Sequence, residues 1–451
     1  MACVRRMIFH GHQGRVFPAV GGVRRFRWGG LACQVVALLA LLAGCAGPPR
    51  ATGPGVPEKG LWNLDGKPPH LVAHYMPWFR VHKSAEDPSA VWSHWKWTGG
   101  GPAHDPEQRR PDGLRDVASV AYPLIGPYDS WSREVMRYHL RTAKAASIQA
   151  FLMIWYGPGS YEDQQVRLML DLAQEVGMRI ALCYEEKLNF PGYRTPATRG
   201  EAVASAVGDL TYLLREYGSH PAYLKRNGTP FVFQFNHWGA GPLGPKYFTP
   251  DEFKAIFAQL PSPVVYGRQN LDEAYHPPVS SAYIWWTPDT EWLDRFPRRA
   301  AELRTEGRLD FIMTMICPGF DDAGVWGWGQ GPRKTERRGL SVLRDTFERS
   351  FNGSPELVQV VTWNDFEEGT AVEPTRENGF WYLDALEVWW GERTGSRVDL
   401  ADNRIPFRDF AKACSVAERA ELPSQPWEAL LAPRPLEIEQ RGVLGQKPAK
   451  P

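Results

Sequence analysis

The 451-residue chain has six cysteines, almost no net charge and no apolar run of the ~20 residues that a bilayer-spanning helix requires. The cysteines show neither metal-type spacing nor the density of a disulfide scaffold. With 52 basic and 51 acidic side chains, the formal charge of +1 excludes the basic surface of a nucleic-acid binder. No internal repeat is visible, and the 39 Pro and 43 Gly are scattered, which excludes low-complexity disorder for most of the chain. What the chain has in excess is aromatic rings: 19 Trp, 16 Tyr and 21 Phe. So many flat faces with polar handles exceed the needs of a core and suit a ligand with ring-shaped C–H faces.

Residues 1–44 carry six Arg and no Asp, Glu or Lys, and end in a short apolar run from Leu31 to Gly44. A basic stretch, a short apolar stretch and small residues form a secretory signal. The sequence Leu42-Ala43-Gly44-Cys45 resembles the bacterial lipobox, which implies cleavage before Cys45 and lipidation of it. Ala46 rather than Asp follows, so an outer-membrane location is expected if the host has one. Membrane contact is expected through that lipid alone. Residues 45–69, rich in Pro and Gly, read as a flexible tether. Without residues 1–44 the balance becomes 46 basic to 51 acidic. Cys183 and Cys317 lie in apolar runs and read as small core residues.

Strand-length apolar runs recur at 71–76, 150–155, 179–184, 230–235, 264–266, 282–286, 311–316 and 358–363. Stretches of helical period separate most of them, such as 132–146, 163–176, 201–217, 250–259, 290–304 and 335–351. The fifth unit is weak, since 269–278 has no helical pattern. Eight alternations with continuous apolar strands predict a (β/α)8 TIM barrel over 70–390. A long loop follows strand one at 77–130, and a short irregular C-terminal extension spans 391–451. An open doubly wound sheet is the alternative, but Tyr75-Met76-Pro77-Trp78 is no glycine-rich first turn.

In such a barrel, chemistry sits at the carboxyl ends of the strands. There the chain places His74–Phe79, Trp155-Tyr156, Glu185-Glu186, Asn236-His237-Trp238, Trp285-Trp286, Asp321-Asp322 and Trp363–Thr370. Aromatics, carboxylates and amides on one rim form a sugar-site vocabulary. Expected stacking faces come from Trp155, Tyr156, Trp238, Trp285 and Trp286, two or three of which should touch ligand. The histidines at 74, 94, 220 and 237 lack zinc spacing and suit polar substrate contacts. The acidic residues at 185, 186, 321 and 322 have no calcium-loop spacing, so no metal or other cofactor is expected.

The run Thr362-Trp363-Asn364-Asp365-Phe366-Glu367-Glu368-Gly369-Thr370, with Glu373-Pro374 after it, resembles the strand-eight signature of glycoside hydrolase family 99. The opening His74-Tyr75-Met76-Pro77-Trp78 sits between that family's start and that of family 71. Tyr217–Tyr223 with Gly228-Thr229-Pro230, and Pro318–Asp322, are also similar to family 99, in matching order over about residues 70–390. The resemblance implies action on an α-linked glycan, as in endo-α-mannosidases and α-1,3-glucanases.

Glycoside cleavage needs a proton donor for the leaving oxygen and a second carboxylate across the sugar. Asp365 and Glu368 lie three apart where the chain turns after a strand, so both can face one cavity. Carried over from family 99, Glu368 is the general acid/base and Asp365 the base toward the substrate's 2-hydroxyl. The family has Glu where Asp365 stands, one methylene longer. That leaves open an inverting reaction through water, and a glycan-binding protein without catalysis. Family likeness also makes Glu185 a sugar contact, with Glu186 as its competitor for the inward position. Tyr75, Trp78, Trp155, Tyr156, Asn236, Trp286 and Asn364 complete the expected substrate-binding set, and a monomer is expected.

Overall fold

In the computed structural model, the described residues are 61–81, 91–186, 188, 196–236, 239–414, 419–424 and 427–436. The proposed signal segment, Cys45 and most of the tether therefore lie outside them, as do His237 and Trp238. No helix among the described residues is long and apolar enough to cross a membrane.

Eight parallel strands form the expected barrel: β1 (His70–Tyr75), β2 (Ala150–Trp155), β3 (Arg179–Glu185), β4 (Thr229–Phe235), β5 (Val265–Gln269), β6 (Ser281–Tyr283), β7 (Met313–Ile316) and β8 (Leu357–Val360). Hydrogen-bonded neighbours run β7-β8-β1-β2-β3-β4-β5-β6. Between β6 and β7 there is no ladder. Ala282 and Ile284 instead join Met315 and Cys317 in one apolar cluster that brings the ring nearly to closure. The strands are buried on both faces, which is why they read as continuous apolar runs.

The flanking helices are α1 (Arg133–Ala145), α2 (Asp163–Val176), α3 (Arg199–Glu216), α4 (Pro250–Phe257), α5 (Thr290–Thr305), α6 (Ser341–Ser350) and α7 (Trp381–Thr394). Their starts follow local chemistry. Ser132 caps α1 through the amide of Val135, and Thr249 and Glu252 form a reciprocal capping box at α4, with Pro250 in the first turn. The weak fifth unit has only a 3-10 turn, Glu273–Tyr275, before β6.

Trp62 closes the amino-terminal end of the barrel. Its ring meets Phe231 and Phe311 edge-on at 5.3 and 5.1 Å, and its indole N–H donates to Glu356 at 3.0 Å. The packed unit thus starts by residue 61, and residues 61–69 are not tether. The long loop after β1 is likewise packed. Trp95 lies buried, stacked on Phe79 at 4.2 Å, and its N–H donates to the Tyr128 carbonyl. At the other end a further helix, α8 (Ile405–Ala413), packs on α1, with Phe410 against Tyr138.

Candidate active site

The turn after β8 is built by its own polar side chains. The Asp365 amide donates to Thr362 Oγ1 at 2.8 Å, and Thr362 Oγ1 lies 3.0 Å from Thr370 Oγ1. Asp365 Oδ1 then accepts the amide of Glu368 at 2.8 Å. This closes a tight loop in which a side chain satisfies a backbone donor. Asn364 ties the turn to the end of β1: its Oδ1 accepts the Met76 amide at 2.8 Å, and its Nδ2 donates to the Met76 carbonyl and to the Tyr128 hydroxyl.

Asp365 and Glu368 both line a cavity of ≈ 550 Å³ at the carboxyl ends of the strands. Around them stand His74, Met76, Trp78, His94, Ile154, Tyr156, Glu185, Phe235, Trp285, Trp328 and Gln330. Burial, then the neighbouring charges of Glu368 and Glu367, hold the Asp365 carboxyl well above the ordinary carboxylate range. Burial also raises Glu368, against the donated N–H groups of Trp285 at 3.3 Å and Trp328 at 3.4 Å. Two carboxyls with raised proton affinity can hold and pass a proton at higher pH than free carboxyls do.

Glu367 points elsewhere. Its Oε2 meets His94 Nδ1 at 2.8 Å, and the His94 ring stacks on Trp78 at 4.6 Å. Burial works to lower the His94 pKa, but the charge and hydrogen bond of Glu367 outweigh it and the net shift is upward. His74 is buried with neither ring nitrogen partnered, and burial pushes it down to about 3, so it is neutral.

The expected site residues divide by the direction of their side chains. Asp365, Glu368, Glu185, Trp78 and Tyr156 meet at the cavity, together with Trp285, His74 and His94. Glu186, the competitor of Glu185, turns away and accepts the Phe248 amide at 2.8 Å. Tyr75 is corrected from sugar contact to core. Its ring stacks on Phe151 at 4.8 Å and its hydroxyl lies 3.1 Å from His139 Nδ1, behind the sheet. Trp155 likewise faces the helices, with its N–H donated to Asp163 at 2.9 Å. Trp286 stacks on Phe320 at 4.0 Å and Asn364 is spent on the turn, so neither lines the cavity. Asn236 is buried and also does not line it. His220 is bonded to Asp171, away from the site.

Ile154, Trp328 and Gln330 were not expected, while Met76 and Phe235 lie in rim segments but had no role assigned; all five line the cavity. Met76, Ile154 and Phe235 are the ones that position can signal, since each alternates with a residue that faces the helices. Among the described residues no group of three His, Cys, Asp or Glu is arranged to hold a metal ion.

Residues 68–243 match the family model described as Glycosyl hydrolase family 99. The chain is related to that family. A Homo sapiens protein named glycoprotein endo-alpha-1,2-mannosidase-like protein is 22% identical, over 70% of this chain and 69% of its own length. A Penicillium rubens mutanase is 22% identical over 57% of this chain and 54% of its own length. Among solved structures, the GH99 endo-alpha-mannosidase from Bacteroides thetaiotaomicron is similar in fold at 18% identity. It has a TM-score of 0.56, covering 78% of this chain and 100% of that chain. The segment matched by the family 99 model holds β1 to β4 and Glu185, and ends before the β8 turn that carries Asp365 and Glu368.

Proposed function

We propose that the protein is a glycoside hydrolase that cleaves an α-linked glycan of mannan or glucan type. One observation carries this reading. Asp365 and Glu368 sit in a single β8 turn, both raised in proton affinity, on a cavity whose other walls include Trp78, Tyr156 and Trp285. Glu368 protonates the leaving oxygen, helped by burial that keeps it protonated to higher pH than a free glutamate. Asp365 works on the nucleophile's side, toward the sugar's 2-hydroxyl or a water. Glu185 and the aromatic faces hold the ring. Names of relatives, endo-alpha-1,2-mannosidase-like and mutanase, support an α-mannan and an α-glucan as first substrates to try.

The test uses the soluble chain from about residue 56 on a panel of α-glycans, with product analysis. Glu368→Gln should lower turnover of the glycan about 10²–10⁴-fold, the usual cost of losing general acid catalysis. It should lower turnover of the matching glycosyl fluoride far less, because fluoride leaves with little protonation. Asp365→Asn should damage both alike. Wild-type turnover by Glu368→Gln on the glycan would refute the role. A wild type that binds but never cleaves α-glycans would favour the glycan-binding alternative.

We also propose that Cys45 is lipidated and tethers the enzyme to the cell envelope, on the strength of the Leu42–Cys45 sequence. Cys45→Ala should release the protein from the membrane fraction and abolish fatty-acid labelling. Unchanged partitioning and labelling would contradict it.

A further inference from the structure

The Glu368 carboxylate has an indole on each oxygen. Trp285 donates to Oε2 at 3.3 Å and Trp328 to Oε1 at 3.4 Å. Both distances exceed the usual range of about 2.7–3.2 Å, so each bond is weak and open to exchange. A general acid must give up one such contact before it can reach a leaving oxygen. The two tryptophans are not equally free to yield. Trp285 is held edge-on between His74 at 4.8 Å and Phe235 at 5.3 Å. Trp328 is 39% exposed at the cavity mouth, with Trp97 perpendicular to it at 6.0 Å.

Trp328 stands at the apex of a strap after β7 whose base is tied and whose tip is strained. At the base, Asp322 accepts the Arg333 amide at 2.6 Å and its Nε at 2.8 Å. At the tip, Trp326, Gly327, Trp328 and Gly329 all have left-handed backbones, with φ of 48°, 58°, 55° and 84°. Bulky residues rarely adopt that region, and where they do the site is often a ligand clamp. The tip is pressed against Gly99–Gly101 of the loop after β1. A Cβ at Gly101 would fall 2.3 Å from the Trp326 ring, and one at Gly329 would fall 2.9 Å from the Gly99 carbonyl. Glycine on both sides lets the two loops approach backbone to backbone. Gln330, exposed beside Trp328, adds an amide to the same rim.

We propose that Trp328, with Trp97 and Gln330, forms the subsite for the leaving sugar, and that Trp328 holds the general acid until that sugar displaces its indole N–H. This rests on the glycoside-cleaving reading above and goes beyond it: the substrate must continue past the scissile bond as a pyranose ring. A small leaving group would gain nothing from the subsite. An N–H donated to Glu368 favours its charged form, so the arriving sugar also raises the proton affinity of the acid at the moment it is needed. The other charged groups near that carboxyl are Asp365 and Glu367 on its own turn, Asp322 and Arg333 on the strap, and His94 and Glu185 across the cavity.

The experiment compares kcat/KM on oligosaccharides of α-1,2-mannan and α-1,3-glucan with kcat/KM on the matching α-glycosyl fluorides, which lack a leaving sugar. Trp328→Ala should lose on the order of 5-fold or more on the oligosaccharide and a clearly smaller factor on the fluoride. Trp328→Phe keeps a ring but no N–H, so it should hold most of the oligosaccharide activity. Its Glu368 should titrate higher, moving the basic limb of the kcat/KM profile to higher pH. Equal losses on both substrates in Trp328→Ala, or an unmoved basic limb in Trp328→Phe, would overturn the subsite while leaving the hydrolase intact. A wild type that cleaves neither oligosaccharides nor fluorides would remove both.

Discussion

At the scale of single residues, alternation decides who belongs to the site. In the parallel ladders His74 pairs with Leu152, Ile154 with Cys183, Glu185 with Phe235, and Gln269 with Tyr283, and partners share a face. Inward positions therefore run through His74 and Met76, Ile154 and Tyr156, Glu185, Phe235, and Tyr283 and Trp285. The rim motifs are legible in the sequence, but a motif does not separate its adjacent residues, and Tyr75 and Trp155 point to the opposite side. One inward residue per strand fixes the direction of the others. The same alternation sends Glu186 outward into a buried place, where burial raises its pKa to about 8 despite the charge of Arg268. A carboxyl raised in the folded state stabilises the fold below its unfolded pKa, near 4.5, and that stability is lost as pH rises through 8. The full loss is on the order of 5 kcal/mol. Urea midpoints between pH 5 and 8 should therefore fall more steeply for wild type than for Glu186→Gln, which still accepts the Phe248 amide. Parallel slopes would show that Glu186 is ionised in the fold.

At the scale of elements, the strands were legible because burial on both faces leaves little but apolar residues in them. The crossover between β5 and β6 was uncertain for a matching reason: it holds a 3-10 turn where a helix would have left a period. The turn after β8 was legible as a motif but not as a construction, because its shape depends on a distant strap. Gly369 has φ 60°, and a Cβ there would fall 2.6 Å from the Asp321 carbonyl, while the Asp321 amide donates to the Glu368 carbonyl at 2.9 Å. Gly369→Ala thus brings a strained backbone, about 1–3 kcal/mol, and pushes the strap off Glu368. On the role proposed for Glu368, we expect kcat to fall at least about 10-fold with KM moving less, as for a group that acts in the transition state. A variant with wild-type kcat would show that the turn absorbs the methyl without moving Glu368.

At the scale of the whole molecule, the chain after Gly391 reads in the sequence as irregular turns and a helix packed on the barrel, but which residues it buries cannot be seen there, because its partners lie elsewhere in the sequence. Arg404 is buried and forms an ion pair with Asp384 of α7, with Nη2 to Oδ2 at 2.6 Å, and its Nε donates to the Leu431 carbonyl. Asn403 donates to Glu387 at 2.6 Å. Phe407 meets Trp427 edge-on at 5.3 Å. Glu421 reaches the loop after β1 through Arg109 and Arg115, the same loop that supplies Trp78 and His94 to the cavity wall. A chain ended at residue 398 would leave Asp384 and Glu387 in α7 without these partners and uncover Tyr138 on α1. Removing one member of a buried ion pair alone costs about 3–5 kcal/mol, a large part of a domain's net stability. The truncated protein should be insoluble or melt well below the full chain. Arg404→Met, which keeps the bulk and removes the charge, should account for a good share of that loss. The milder variant should also weaken glycan binding little, since Arg404 is not part of the cavity wall. If truncation at 398 left the melting temperature unchanged, the barrel would be self-sufficient and the extension an appendage.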